Sequence, residues 1–245
     1  MNSTGVADVY IEGEISEDEV HDGDISAISF RQILSNLGSI KELNLHINSP
    51  GGDVFQGIAI YNMLKQCKAK INVYIDGLAA SIASVIAMSG DTIFMPKNAM
   101  MMIHNPMAGM VYGNAQELRK QADDLDRITQ SSITTYLDKA GDKLDEDTLK
   151  KLMDSETWLT ADHALEYGLC DEIIDSSEMV AKLDPKLFKQ FHKIPKQLIA
   201  QEAKKKPKAQ VDELKQLVQE SKLQATILDD KLNILREDII NNGLI

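Results

Sequence analysis

An α/β fold followed by a helical extension is the architecture that this 245-residue sequence predicts. The first observation is that short β-like runs alternate with segments of helical period through most of the chain, as in α/β proteins. The second is a lysine-rich segment after residue 180, followed by apolar residues at heptad spacing. We therefore expect a globular domain over residues 1–180, a linker over 181–210 and a helical tail over 211–240.

Five β-like runs lie within the first 104 residues. They are, in order, DVYIEG (8–13), ELNLHIN (42–48), INVYIDG (71–77), DTIFMP (91–96) and MMMIH (100–104). A helix is predicted between the second and third runs, because apolar residues recur there near the helical period and indicate its buried face: Phe55, Ile58, Ala59 and Met63.

The longest predicted helix runs from Asn114 to about Lys139. Asn114 and Glu117 have the spacing of a capping box, in which each side chain accepts a backbone N–H at the start of a helix. Gly141 follows the last apolar position and is a typical stop signal.

Two shorter helices and a strand are predicted to follow the long helix. One helix covers about 145–153, and the next lies between Thr160 as its cap and Gly168 as its stop. The run CDEIID, residues 170–175, then predicts a last short strand.

The composition changes after about Ala181. Nine lysines and only two acidic residues lie between Lys182 and Lys208, and three prolines interrupt any long helix. We expect a solvated tether here rather than a site for nucleic acid or an acidic partner.

Beyond the linker, apolar and small residues recur at heptad spacing and form a seam: Val211, Leu214, Val218, Ser221, Ala225, Leu228, Leu232, Leu235 and Ile239. A coiled coil with another copy of the chain is our leading interpretation, and an amphipathic helix folded back on its own domain is the alternative.

Charge and composition exclude several classes of protein. A net charge of −12 disfavours a general nucleic-acid binder, which needs clustered Lys and Arg. We expect a cytoplasmic protein, since no run approaches the ~18 apolar residues of a membrane span and the N-terminus lacks a signal-peptide pattern.

Cys67 and Cys170 lack metal-ligand spacing and are predicted to be small apolar fillers. No metal or nucleotide cofactor is predicted, because the glycine pair at 51–52 lacks the Lys-Ser/Thr of a phosphate-binding loop.

Three segments contain residues that suit catalysis. Gly51 and Gly52 end a strand and could present backbone N–H groups to a reacting oxygen, although a plain tight turn has the same pattern. Ser81 lies among small residues where a helix should begin, so it is either a nucleophile or a serine bonded to a preceding carbonyl. His104 ends an apolar strand before Asn-Pro, where it could act as a general base or cap the turn.

A carboxylate is needed to orient a catalytic imidazole. The segment LMDSETWLTADHALEYGL supplies Asp154, Glu156 and Asp162. By themselves these acids are better explained as solvated charges at helix ends.

Together, these segments resemble the Clp protease proteolytic subunit family of serine peptidases. The family's Ser-Pro-Gly-Gly turn is matched at 49–52, its G-x-A-A-S box at 77–81 and its M-I-H-x-P box at 102–106. A later F-[LM]-[ST]-A…A-x-E-Y-G-L-x-D pattern is matched at 158–161 and 164–171, with Trp158 in place of the phenylalanine. The resemblance covers about residues 8–175 and implies the spiral of ββα units that this family shares with the crotonases, with the long helix as a protruding handle.

The resemblance also implies a role for each matched residue. Ser81 is the nucleophile, His104 is the general base, and the backbone N–H groups of Gly52 and Ile82 form the oxyanion hole. The third member of the triad is Glu156, where the family has Asp, and Asp154 is the alternative acid. The resemblance further implies a ring of six or seven copies that stacks through the handle, with substrate held as an added β-strand.

Two departures from the housekeeping members indicate a function. Only about seven residues precede the first strand, too few for the arm that contacts an ATP-driven unfoldase, and the linker and tail are additional. Both features resemble the Clp-related proteases of phages and prophages, so we expect a peptidase that cleaves capsid or scaffold protein during head maturation, acting in the host cytoplasm. The alternatives are a housekeeping-like subunit that works with a Clp ATPase, a crotonase-like enzyme acting on acyl-CoA thioesters, and a non-catalytic capsid assembly protein.

Overall fold

The computed structural model describes residues 5–175 and residues 191, 193 and 194. The chain divides into two units, Met1–Ile194 and Pro195–Ile245, and every described residue belongs to the first. The predicted helical tail over 211–240 lies outside the described residues, as does most of the predicted linker.

A single sheet contains all seven strands found in the described part of the chain. The strands are β1 Val6–Ile11, β2 Glu42–Ser49, β3 Lys70–Ala80, β4 Thr92–Pro96, β5 Met100–Ile103, β6 Thr157–Thr160 and β7 Glu172–Ile174. Strands β1, β2, β3, β4 and β7 lie side by side in that order and are all parallel. Helices connect most of these strands, so the predicted α/β class is confirmed.

The sheet branches at β3, which has a different partner for each half. Residues 72–74 pair with β4, whereas Leu78–Ala80 pair in parallel with β5, and β5 pairs in antiparallel fashion with β6. The sequence pattern ended this strand at Gly77, and the structure carries it three residues further. The difference arises because β5 supplies the ladder hydrogen bonds for the last residues, and such a distant partner leaves no mark on the local pattern.

The helices are α1 Ala27–Leu37, α2 Val54–Lys65, α3 Ile82–Ala87, α4 Ala115–Ala140, α5 Glu146–Asp154 and α6 Ala161–Glu166. The capping box of Asn114 and Glu117 is formed as predicted, and Thr160 caps α6. Helix α1 is absent from the sequence prediction. Its signal is nevertheless present in the sequence: Ser26 is its cap, and the residues that face the core recur at helical spacing, namely Ala27, Phe30, Ile33, Leu34 and Leu37.

The predicted buried face of α2 is wrong in part. Phe55 is 66% exposed, and the buried residues are Gly57, Ile60 and Leu64. Gly57 faces α3 so closely that a Cβ atom there would overlap the side chain of Ile82. The approach of α3 therefore decides which side of α2 is buried, and a count of apolar residues does not show it.

Helix α4 is the protruding helix that the sequence predicts. With 26 residues it is about 39 Å long. Its first four turns are largely exposed, and Ser132, Ile133, Tyr136 and Ala140 bury its last turns in the core. None of the helices within residues 5–175 is both long and apolar enough to cross a membrane.

The two faces of the parallel sheet differ in character. One face buries aliphatic residues such as Leu45, Ile47 and Ile75 beneath the helices. On the other, the rings of Tyr10, His46, Tyr74 and Phe94 stack across four strands with centroids 4.7 to 5.0 Å apart. This spacing is close to the distance between neighbouring strands, so the stack follows from the register.

Candidate active site

Ser81 lies at the sharp turn between β3 and α3. Its backbone has φ 54° and ψ −129°, a conformation that L-residues rarely adopt and that costs about 1–3 kcal/mol. The turn is held because Ser81 N–H donates to the Met102 carbonyl of β5 at 2.9 Å. Strain of this kind is common at sites where a side chain must face a ligand rather than the core.

His104 follows β5 and lies beside Ser81. The two meet because β3 and β5 are parallel neighbours in which Ala80 pairs with Met102, so both strands end at the same edge of the sheet. The Nε2 atom of His104 is 2.7 Å from the Ser81 hydroxyl oxygen. In the tautomer that carries its proton on Nδ1, Nε2 accepts the serine hydroxyl, which is the geometry of a nucleophile and its general base.

The glycine pair lies directly against the serine. Gly51 has φ 94°, and a Cβ atom there would lie 2.8 Å from the Ser81 Cβ and 2.7 Å from the Ala80 carbonyl oxygen. Gly52 has φ 145°, and a Cβ atom there would overlap the backbone of Ile15. Both positions therefore require glycine, for conformation as well as for space.

Ile15 clamps the turn from the other side. Its N–H donates to the Gly51 carbonyl at 2.8 Å, and its carbonyl accepts from Asp53 N–H at 2.7 Å. Gly52 N–H and Ile82 N–H, the predicted oxyanion donors, have no protein acceptor among the described residues. Ile82 is the first residue of α3, where an N–H has no intrahelical partner, so both groups can bond to a substrate oxygen.

The two carboxylates that are candidates for the acid of the triad differ in burial. Asp154 is exposed and accepts a hydrogen bond from the Asn105 side chain at 2.7 Å. Glu156 is only 9% exposed, has φ 49°, and accepts a hydrogen bond from the backbone N–H of Lys193 at 2.6 Å. Asp162, the third acid that the sequence offered, is exposed in the first turn of α6.

The strand pairing ends directly beside His104 and Glu156. Ile103 of β5 pairs with Thr157 of antiparallel β6, and His104 and Glu156 are the residues that adjoin this last pair. The backbone of Glu156, with φ 49°, departs there from the strand conformation. Asp154 lies two residues further along, at the end of α5.

A hydrogen-bonded pair beneath the serine was missed by sequence reasoning. The Ser84 hydroxyl donates to the Ser81 carbonyl at 2.5 Å and lies 2.7 Å from the Tyr136 hydroxyl. Tyr136 is 1% exposed, and this burial raises the pKa of its hydroxyl. The protruding helix α4 is thereby bonded to the turn that carries the nucleophile.

Two further residues near the site come from the predicted linker. The ring of Phe191 lies edge-on to His104, and Lys193 holds Glu156 as described above. The available sequence signal was a pair of phenylalanines, at 188 and 191, inside the lysine-rich segment. A solvated tether has no need of such residues.

Comparison with known proteins agrees with the predicted family. The Clp protease family model matches residues 7–177. A relative, the ATP-dependent Clp protease proteolytic subunit 1 of Protochlamydia amoebophila (strain UWE25), is 34% identical over 137 residues. The match covers 55% of this chain and 66% of the relative, so it spans just under two thirds of the relative's length. Together with the paired serine and histidine, these matches confirm the predicted resemblance, and the chain belongs to the Clp protease family.

Proposed function

We propose that this protein is a serine endopeptidase with Ser81 as its nucleophile. The observation that carries the proposal is the 2.7 Å contact between His104 Nε2 and the Ser81 hydroxyl, at a strained turn bordered by two N–H groups that have no protein acceptor within the described part of the chain. His104 is the general base, and Gly52 and Ile82 supply the oxyanion donors. No metal or organic cofactor is needed for this chemistry.

The reaction follows from the arrangement of these groups. His104 Nε2 takes the hydroxyl proton as the Ser81 oxygen attacks the peptide carbonyl. The negative oxygen of the tetrahedral intermediate is stabilised by Gly52 N–H and Ile82 N–H. The protonated imidazole then gives its proton to the leaving amine, and water hydrolyses the acyl-enzyme by the same steps in reverse order.

Glu156 is the acid that we assign to the triad. It is buried and adjoins the last strand pair, Ile103 with Thr157, whereas Asp154 is exposed and bonded to Asn105. A buried carboxylate stabilises an imidazolium more strongly than a solvated one, because water screens it less. The side chain is one methylene longer than the family's Asp, so its oxygens need a support of their own.

The assembly that we propose is a ring of identical subunits, with two rings stacked through α4. The exposed first four turns of α4 support this assignment, and they include the exposed Leu118. The preceding loop adds further exposed apolar residues that are costly to leave in water: Met107, Met110, Val111 and Tyr112. Assembly would enclose the serines in a chamber. Mass photometry of the purified protein measures the number of subunits.

The test of the activity uses a fluorophosphonate probe, a fluorogenic peptide and intact-mass measurement. We expect one label per chain and peptide hydrolysis in the wild type, and neither in Ser81→Ala. Ser131→Ala, an exposed position on α4, is the matched control and should label like the wild type. An assembled wild-type protein that neither labels nor cleaves would make the non-catalytic assembly protein the better assignment, with Glu156 as the first residue to suspect.

For the natural substrate we propose capsid or scaffold protein cleaved during phage head maturation. The support comes from the sequence beyond the family match, where a lysine-rich linker and a heptad pattern are added. Incubation with the capsid and scaffold proteins of the same genome should give defined fragments without ATP. If an enzyme that is active on peptides left the capsid and scaffold proteins uncleaved, this assignment would be contradicted.

An ATP-dependent degradation role is the second candidate. It is favoured by the name of the relative, which is an ATP-dependent Clp protease subunit. A folded, tagged substrate mixed with the protein, a Clp ATPase and ATP separates the two roles. Rapid ATP-dependent loss of the substrate would favour degradation over maturation.

A further inference from the structure

Three residues beyond the family-matched region lie on the candidate site. Phe191, Lys193 and Ile194, which we call the strap residues, follow the last matched position, 177, by more than ten residues. Phe191 is 6% exposed, and Ile194 packs against the same apolar cluster. This cluster is the face formed by the end of β3, β5 and β6: Leu78, Ala80, Met100, Met102 and Trp158.

Phe191 fits between two rings of the site. Its ring centroid is 5.8 Å from that of His104 at an interplanar angle of 83°, and 5.7 Å from that of Trp158 at 86°. Edge-to-face contacts of this kind favour one relative orientation of the rings. The phenylalanine therefore restricts the rotation of the imidazole that must face Ser81.

Lys193 holds Glu156, the acid that we assign to the triad. Its backbone N–H donates to Glu156 Oε1 at 2.6 Å, and its ammonium group donates to the Ser155 carbonyl at 2.6 Å. A hydrogen bond to an ionised acceptor is about twice as strong as a neutral one. The backbone donor thus fixes one oxygen of the carboxylate.

We propose that the strap residues are positioning residues of this active site: Phe191 sets the plane of the His104 ring, and the Lys193 N–H sets the rotamer of Glu156. The inference rests on the proposed peptidase function and deepens it. A glutamate has one more rotatable bond than the family's aspartate, so it loses more freedom when it is held in one geometry. The strap supplies the additional donor that this longer side chain needs.

The first experiment compares two substitutions of one residue in the full-length protein. Lys193→Ala and Lys193→Pro both lose the ammonium contact with Ser155, but only proline also lacks the backbone N–H. We expect kcat for a fluorogenic peptide to be at least about tenfold lower in Lys193→Pro than in Lys193→Ala, with KM within about twofold, since misplacement of a catalytic group lowers the rate of the chemical step. Equal kcat values in the two variants would overturn the role of the N–H.

The second experiment separates orientation from simple coverage of the apolar face. Phe191→Leu keeps the apolar cover and removes the ring, whereas Phe191→Tyr keeps the ring. We expect kcat to be at least about fivefold lower in the leucine variant than in the tyrosine variant, at equal subunit number and similar thermal midpoints. Equal kcat values, or a higher kcat in Phe191→Leu than in the wild type, would overturn the proposal, because the strap would then be only a cover or an inhibitor.

A chemical readout at His104 makes the result independent of turnover. Diethyl pyrocarbonate modifies neutral imidazoles, and peptide mass spectrometry gives the rate at each histidine, with exposed His163 as the internal reference. We expect His104 to react at least about threefold faster in Phe191→Leu than in the wild type, since the ring that restricts it is gone. An unchanged rate would count against the strap. If the wild type takes no fluorophosphonate label but this difference remains, the peptidase assignment fails and the positioning of His104 stands.

Discussion

The nucleophile side and the acid side of the site are built in different ways. Ser81, the glycine turn and the backbone of His104 are held by main-chain contacts: the ends of two strands, a strained turn and the backbone hydrogen bonds of Ile15. Glu156 is held by the backbone N–H of Lys193, which lies 37 residues later in the chain. Phe191, from the same segment, contributes only its side chain, whose ring contacts that of His104. We infer that the first side tolerates almost no change in its residues, whereas the second can change its acid if another segment supports it.

Such a difference has a physical origin. Backbone donors in a packed turn are preorganised and lose little entropy when a transition state forms. A side-chain carboxylate must be restrained by contacts that other parts of the chain supply. The departure from Asp to Glu falls on the second side, where the strap is available to compensate.

The largest combined effect, on both activity and stability, is expected from breaking the backbone side at Gly52. In Gly52→Ala the new Cβ would overlap Ile15, and φ 145° is unfavourable for alanine. We expect the fluorophosphonate labelling rate to fall by more than about 100-fold, because an oxyanion donor is displaced, and the free energy of unfolding to fall by about 3 kcal/mol. Urea unfolding and labelling kinetics measure the two effects.

Gly109→Ala is the control for this substitution. Gly109 lies in the loop before α4 with no neighbouring atom within 4 Å of the added methyl group. Both measurements should match the wild type. If Gly52→Ala were labelled at the wild-type rate, Gly52 could not be an oxyanion donor.

The next effect is expected at the acid. Glu156→Gln keeps an oxygen for the Lys193 N–H but removes the charge that stabilises the imidazolium. We expect kcat to fall by roughly a thousandfold with little change in KM, as when a triad acid loses its charge. Steady-state kinetics on a fluorogenic peptide measure this effect.

The same assay on Asp154→Asn decides between the two acids. We expect a loss of less than about threefold there, because the exposed Asp154 interacts with Asn105 and is screened by water. Glu166→Gln, exposed at the end of α6, controls for loss of charge. A larger loss in Asp154→Asn than in Glu156→Gln would reverse our assignment of the acid.

The smallest effect is expected beneath the nucleophile. Tyr136→Phe removes the hydroxyl that lies 2.7 Å from Ser84 and leaves the ring in place. We expect the free energy of unfolding to fall by about 1 kcal/mol, the usual contribution of one buried hydrogen bond, and the labelling rate to fall by less than about fivefold, since Ser84 still donates to Ser81. Urea unfolding of each variant measures the change in stability.

Tyr112→Phe is the matched control, because Tyr112 is 81% exposed in the loop before α4. It should be as stable as the wild type. A labelling loss in Tyr136→Phe as large as that of Gly52→Ala would show that the nucleophile side also depends on a distant side chain. The two sides of the site would then not differ in how they are held.

Much of the fold could be predicted because its signals are local. The capping box at Asn114, the cap at Thr160 and six of the seven strands depend on neighbouring residues, and each was predicted within a few positions, whereas the short strand β6 was not predicted. Helix α1 was missed although its apolar residues recur at helical spacing, whereas the buried face of α2 could not be predicted because it depends on the approach of Ile82.

The sequence by itself determined the family and the residue types of the site. Ser81, His104 and the glycine pair lie in short boxes whose spacing is specific, and glycine is required there by backbone conformation. Burial is a property of the whole fold, so only the tertiary structure decided that Glu156 is buried and Asp154 faces water. The strap residues likewise reach the site through contacts between distant parts of the chain, which no local pattern records.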